Sequence, residues 1–179
     1  LRFEIRWRAL FVAIGVVVFF AAYSAGAAVE MTPEEADNVR EQFSDQIADI
    51  DQYGIFLNNI RIAFGMFVPA IGVVLGAFSG YATGNVFAAI AEGEPALADI
   101  PPQIILLTPF GMMEVFAYGL AMSRSGLLVY QFVKRKHWQE YAVPTLIELG
   151  IAAAVLFAGA VVEWWMIQEY GGLNLDLAS

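Results

Sequence analysis

Four ionisable residues, Arg61, Glu114, Arg124 and Glu148, lie in stretches of chain otherwise too apolar to hold a charge. Acid and base at membrane depth can do two kinds of chemistry: they can relay ions or protons along a pathway, or they can lock helices together as ion pairs. A charge at mid-bilayer costs roughly 2.5 to 3.5 kcal/mol on insertion scales, so each one calls for a polar partner on another helix. At a rise of about 1.5 Å per residue, Arg61 and Glu114 both fall within roughly 5 to 9 Å of one boundary, with Arg124 about 15 Å and Glu148 about 10 Å from the other. The expected pairs are therefore Arg61 with Glu114 and Arg124 with Glu148, the first supplemented by Asn58 and Asn59. On this pairing, Glu114→Gln lowers the yield of folded protein. Two charge-balanced pairs fit helix locking better than a pathway.

Other chemistry is missing from the chain. It has no Cys and one His, His137, which stands beside Lys134, Arg135 and Lys136, so neither a thiolate nor a two-histidine metal site is expected. Ser79, in Gly76-Ala77-Phe78-Ser79-Gly80, has no His in an apolar segment to act as its base and reads as part of a turn. No phosphate-binding glycine loop or dinucleotide fingerprint occurs. The expectation is a protein with no catalytic residues, no metal and no cofactor. A net charge of −9 argues against nucleic acid as a partner.

The elements that must hold these residues are helices in a bilayer. Fifty-nine per cent of the 179 residues are hydrophobic and 15% are charged, with mean hydropathy +0.63, a composition that describes one membrane domain over residues 1–179. Arg2, Arg6 and Arg8 precede an apolar run from Ala9 to Val29, long enough to cross a ~30 Å core, and place the N-terminal side in the cytoplasm. Between Glu30 and Asp51 lie eight acids against the single Arg40. There Thr32, Pro33 and Glu35 form a capping box that opens an external amphipathic helix over 32–53, ended by Gly54.

A second span is read from Ile55 to Phe78, a turn at Ser79-Gly80, and a short third span from Tyr81. The alternative for 81–108 is a re-entrant hairpin. Gly72, Gly76, Gly80 and Gly84 recur every four residues, the small-residue spacing that lets membrane helices touch, either within the chain or in a homo-oligomer. Pro109 interrupts a half-helix from Gln103 and starts a long fourth span to Val133, with Gly111 close behind. The last span runs from Tyr141 to Ile167, and Trp164 and Trp165 mark its outer interface. The fold class is an all-α integral membrane protein of about five transmembrane helices, with one broken element and an external helix. Its N-terminus is cytoplasmic and its C-terminus external, in the plasma membrane.

Phe56-Leu57-Asn58-Asn59-Ile60-Arg61, the glycine-rich span, Gly84-Asn85 and Pro109-Phe110-Gly111-Met112-Met113-Glu114 together resemble the stage II sporulation protein M family, over roughly residues 55–162. The family pattern carries His where Phe110 stands. The resemblance implies a multi-spanning, non-enzymatic membrane protein that anchors or assembles partners in the cell envelope. The expected function is a scaffold or assembly subunit of an envelope membrane complex, its partners being the bilayer and other membrane or envelope proteins. The alternative is a small transporter or channel that uses Glu114 and Arg124.

Overall fold

The computed structural model describes residues 2–47, 50–94, 97 and 100–170. Among these residues six α-helices follow in order: α1 (Arg2–Ala27), α2 (Pro33–Ile47), α3 (Gln52–Met66), α4 (Ile71–Gly93), α5 (Pro109–Val133) and α6 (Trp138–Tyr170), with a 3-10 turn at Pro102–Leu107 before α5. No strand occurs among the described residues. Three of the helices, within Trp7–Ala27, Ile71–Gly93 and Trp138–Glu169, are long and apolar enough to cross a membrane.

Local chemistry sets the helix ends. The capping box at α2 forms as expected: Glu35 accepts from the Thr32 N–H at 2.9 Å and from its hydroxyl at 2.8 Å, while the Glu35 N–H donates to Thr32 Oγ1 at 3.3 Å. Both donors hold the Glu35 carboxyl below its ordinary value. Asp51 caps α3 by accepting from the Gly54 N–H at 2.8 Å. Thr108 caps α5 by accepting from the Gly111 N–H at 3.1 Å, with Pro109 at the first helical position, where a missing N–H costs nothing. Between α5 and α6 the Arg135 N–H donates to Phe132 O and the Lys136 N–H to Gln131 O, the double return bond of a Schellman cap, with Arg135 at φ 50° where glycine is usual.

Helix α5 is the axis of the bundle. Every residue from 117 to 125 is buried, so this helix is enclosed on all sides. Helix α1 packs antiparallel to it: Phe19 rests on Tyr118, Gly15 meets the Gly119 backbone, and Arg8 reaches Leu120 and Ser123. Helix α4 runs parallel to α1, with Gly80 against Phe19 and Gly84 against Tyr23. Helix α6 takes the same direction, since Glu148 near its start meets Arg8 while Phe157 farther along packs edge-on against Phe56 of α3. The three long apolar helices therefore all point the same way, from a basic end bearing Arg8, Lys134 and Lys136 toward an acidic end bearing α2.

Several expected boundaries move. The chain turns at residues 67–70 rather than at Ser79-Gly80, and α4 passes through Ser79 and Gly80 unbroken. Pro69 accounts for this, because it supplies no N–H and restricts Val68 before it, and Ala70 completes the reversal at φ 68°. The expected second span thus becomes the 15-residue α3, about 22 Å long. The expected short third span becomes the 23-residue α4, and the re-entrant hairpin at 81–108 is replaced by a helix running to Gly93. The expected external helix 32–53 stops at Ile47; residues 48–49 lie outside the described set, and Gly54 belongs to the first turn of α3 instead of closing α2. Pro109 starts α5 and does not break a helix, since the turn before it is a separate 3-10 element.

Candidate functional site

The polar side chains of the bundle gather in two clusters on the two ends of α5. At the basic end, Glu148 of α6 is clasped by two guanidinium groups. Arg124 donates to it from Nε at 2.8 Å and from a terminal nitrogen, and Arg8 of α1 donates from Nε at 2.7 Å and from a terminal nitrogen. Both contacts are two-pronged, the geometry in which arginine recognises a carboxylate best. Arg8 also donates to Ser123 Oγ and, at 3.3 Å, to Leu120 O. The expected Arg124–Glu148 pair is present. It has a second cation that the sequence reading assigned only to topology, and one carboxylate ties α1, α5 and α6 together.

At the acidic end, Glu114 faces α3 and accepts a hydrogen bond from Asn59 Nδ2, while Asn58 donates to Asn59 Oδ1 at 3.3 Å. The expected partner Arg61 is elsewhere: it is exposed and lines an open groove between α3 and α4. Asn59 and Arg61 are two residues apart, which on a helix is about 200° of rotation, so only one of them can face α5. Glu163 of α6 lies close enough to Glu114 to act on it electrostatically. The site therefore holds two carboxylates and an amide where an ion pair was expected. Taken together the clusters are not charge-balanced: two Arg share one Glu at the basic end, and among the described residues no Arg pairs with the two Glu at the other.

Between them the core is closely packed. Tyr118, Ala121, Met122 and Leu156 fill the layer separating Glu114 from Arg124, each buried. Ten residues of α5 span about 15 Å, so nothing bridges the two clusters directly. Among the described residues no group of His, Cys, Asp and Glu has the arrangement of a metal site.

The glycine row packs within the chain. A Cβ at Gly72 would stand 2.7 Å from Ser125 Cβ, and one at Gly76 would stand 2.3 Å from the Met122 sulfur; one at Gly84 would fall 2.1 Å from Tyr23 O. A four-residue step turns about 40° past a full helical turn, so the row drifts from α5 at one end to α1 at the other. Other close-contact glycines escaped the sequence reading because they obey no four-residue spacing: Gly26 of α1 would place a Cβ 2.0 Å from Tyr81 O on α4, while Gly15 and Gly119 meet each other where α1 crosses α5. Ser125 was missed as well. Its hydroxyl donates to Val68 O at 2.7 Å, sharing that turn carbonyl with the Gly72 N–H at 2.9 Å, and so ties the α3–α4 turn to α5. Gly111 closes against the Ile105 carbonyl, and Phe110, half-buried, sets its own carbonyl near Gly159 of α6.

No family model, curated protein or solved structure matches the chain.

Proposed function

We propose that the protein is a non-enzymatic scaffold or assembly subunit of an envelope membrane complex, crossing the plasma membrane five times with its basic end in the cytoplasm. The observation that carries this reading is the packed apolar layer between the two polar clusters. Charges that close on one another across helices, with packed apolar side chains between them, suit a lock better than a conduit. The five crossings are inferred from helix direction. Three long apolar helices that point the same way require a return between each pair, and α3 and α5 are the segments placed to make them. Lys134, Arg135, Lys136 and His137 at one end and the acidic α2 at the other agree with basic loops facing the cytoplasm. The resemblance to the stage II sporulation protein M family belongs to the same proposal: Asn59 and Glu114, from two of the stretches that carry it, are bonded to each other.

A transporter is the second reading, and the presence of two carboxylates, Glu114 and Glu163, within electrostatic reach of each other is what favours it. One experiment separates the two. Because the partner of Glu114 is a neutral amide, Glu114→Gln keeps a hydrogen bond available, and the folded yield is expected to stay near that of the parent, unlike the loss an Arg61 pair would entail. Purified parent and variant, reconstituted in liposomes, are then assayed for proton and cation flux. The scaffold reading expects no flux above protein-free liposomes in either and a stoichiometric membrane partner co-purifying in mild detergent. Flux in the parent that Glu114→Gln abolishes would overturn it in favour of transport.

A further inference from the structure

We propose that the cleft between α1 and α5, beside the start of α4, takes one acyl chain of an anionic phospholipid whose phosphate is held by Lys134 at the basic end. The shortness of α3 creates the cleft: the chain turns back at residues 67–70, and α4 contributes only Val73 to its walls. The rest is one face of α1, with Phe11 and Ile14, and one face of α5, with Gly126, Leu127 and Tyr130. Phe11, Ile14, Val73 and Tyr130 are exposed along it. A Cβ on Gly126 would meet nothing within 4 Å. The half-enclosed space is about 480 Å³. Its lining holds two polar side chains, Tyr130 and Ser123, and the Ser123 hydroxyl is engaged by Arg8.

Size selects an acyl chain over a helix. Met122 and Tyr130, both in the lining, are eight residues apart on α5, about 12 Å. Spread over that length, the volume is a channel of about 40 Å² in section, about half that of a helix ~10 Å across. Charge selects the headgroup. Lys134 Nζ stands 6.0 Å from the centre of the Tyr130 ring, at the basic mouth of the cleft, and has no carboxylate partner among the described residues. The acids described at this end are taken: Glu140 pairs with Lys136 at 3.4 Å, and Glu148 is shared by Arg8 and Arg124. Arg8, which reaches Ser123 of the lining, is one of two cations on that single carboxylate, so the field behind the wall is positive as well. An ammonium headgroup would find no carboxylate to meet here. A second copy in the same orientation would bring its own Lys134, Arg135 and Lys136 against these. A phosphate at the mouth meets only cations, with the exposed Tyr130 hydroxyl as a further donor.

The site rests on the reading that the chain lies in a bilayer, and the test separates the two. The full chain in mild detergent is titrated with phosphatidylglycerol or phosphatidylcholine of identical acyl chains, and bound lipid is counted by native mass spectrometry. One phosphatidylglycerol per chain is expected, bound at least about fivefold more tightly than phosphatidylcholine, the size of effect one base exerts on an anionic lipid. Lys134→Gln should cut that preference about fivefold, and Lys134→Arg should keep it. Gly126→Leu puts a side chain into the open space of the cleft and should remove the bound lipid. Gly150→Leu, equally free of neighbours within 4 Å but on α6, should retain it. Melting curves check that each variant is folded. Equal binding of the two lipids by the parent, or parental binding of phosphatidylglycerol by Gly126→Leu, would overturn the proposal. A lipid-free dimer that Gly126→Leu dissociates would overturn it in favour of a second copy. A chain that partitions into buffer without detergent would instead overturn the membrane reading beneath it.

Discussion

At the scale of single residues, the basic-end clasp turns on the imbalance between two arginines and one carboxylate. Removing one member of a buried pair leaves an uncompensated charge, which costs about 3 to 5 kcal/mol. Glu148→Gln strands both Arg8 and Arg124, so it should fall in that range, and Arg124→Gln, which removes the cation with only 5% side-chain exposure, should approach it. Arg8→Gln leaves Arg124 and Glu148 still paired, and Arg8 is the wetter partner at 20% exposure, so its loss should be no more than about 1 kcal/mol. Unfolding in mixed micelles measures the order, and an Arg8 variant as damaged as the Glu148 variant would refute the division of labour. The Arg124–Glu148 pair could be anticipated because both residues stand alone in apolar sequence at matching depth. Arg8 could not, because it lies among basic residues that a topology rule already explains. Asn59 was legible as a polar group but not as the partner of Glu114, since the choice between Asn59 and Arg61 depends on the rotation of α3, which weak amphipathic patterning leaves open.

At the scale of the helix, two devices can be tested separately. The α2 capping box depends on an ionised Glu35, whose carboxyl the Thr32 N–H and hydroxyl hold below its ordinary value of 4.5. A group with a lowered folded pKa contributes stability that is fully present above the unfolded value and fades as pH falls through the folded one. Amide exchange in the first turn of α2 should therefore quicken as pH drops below about 4.5, once corrected for intrinsic rates, and Glu35→Gln should remove that acid dependence. Exchange with no such acid step in the parent would discount the box. Close helix contacts form the second device. Gly84→Ala drives a methyl into the Tyr23 carbonyl, where backbone cannot yield cheaply, and should cost about 1 to 3 kcal/mol, whereas Gly150→Ala has nothing within 4 Å and should be neutral. Equal melting temperatures for the two would remove the case for tight packing of α4 on α1. The four-residue row announced the α4 face. Its turn was misplaced because the length of the apolar stretch demanded a break and Ser79-Gly80 offered one, while Pro69 with the strained Ala70 made the real one.

At the scale of the whole molecule, the direction of the helices carries more than their hydropathy. Composition alone picks out α1, α4 and α6. Neither helix proposed as a return meets the same standard: α3 is too short, at about 22 Å against a ~30 Å core, and α5 carries Glu114, Arg124 and several polar residues that the bundle hides. On the five-crossing proposal the parallel packing of α1 and α4 calls for the returns, and the Ser125 bond to Val68 would set how deep the first one goes. Ser125 lies eight residues before the end of α5, so the turn at 67–70 stops about 12 Å short of the basic end. A chain without cysteine allows this geometry to be read by single-cysteine labelling in oriented vesicles. A cysteine at position 97 should react with an impermeant reagent only from outside and one at position 136 only from inside. A cysteine at position 68, exposed at the tip of the α3–α4 turn but set below the basic end, should react with a small membrane-permeant maleimide and resist a bulky impermeant one from either side. Positions 97 and 136 labelled from the same side would reduce α5 to a helix that does not cross. Ready labelling of position 68 by the bulky reagent from inside would mean that α3 reaches the cytoplasmic surface despite its length.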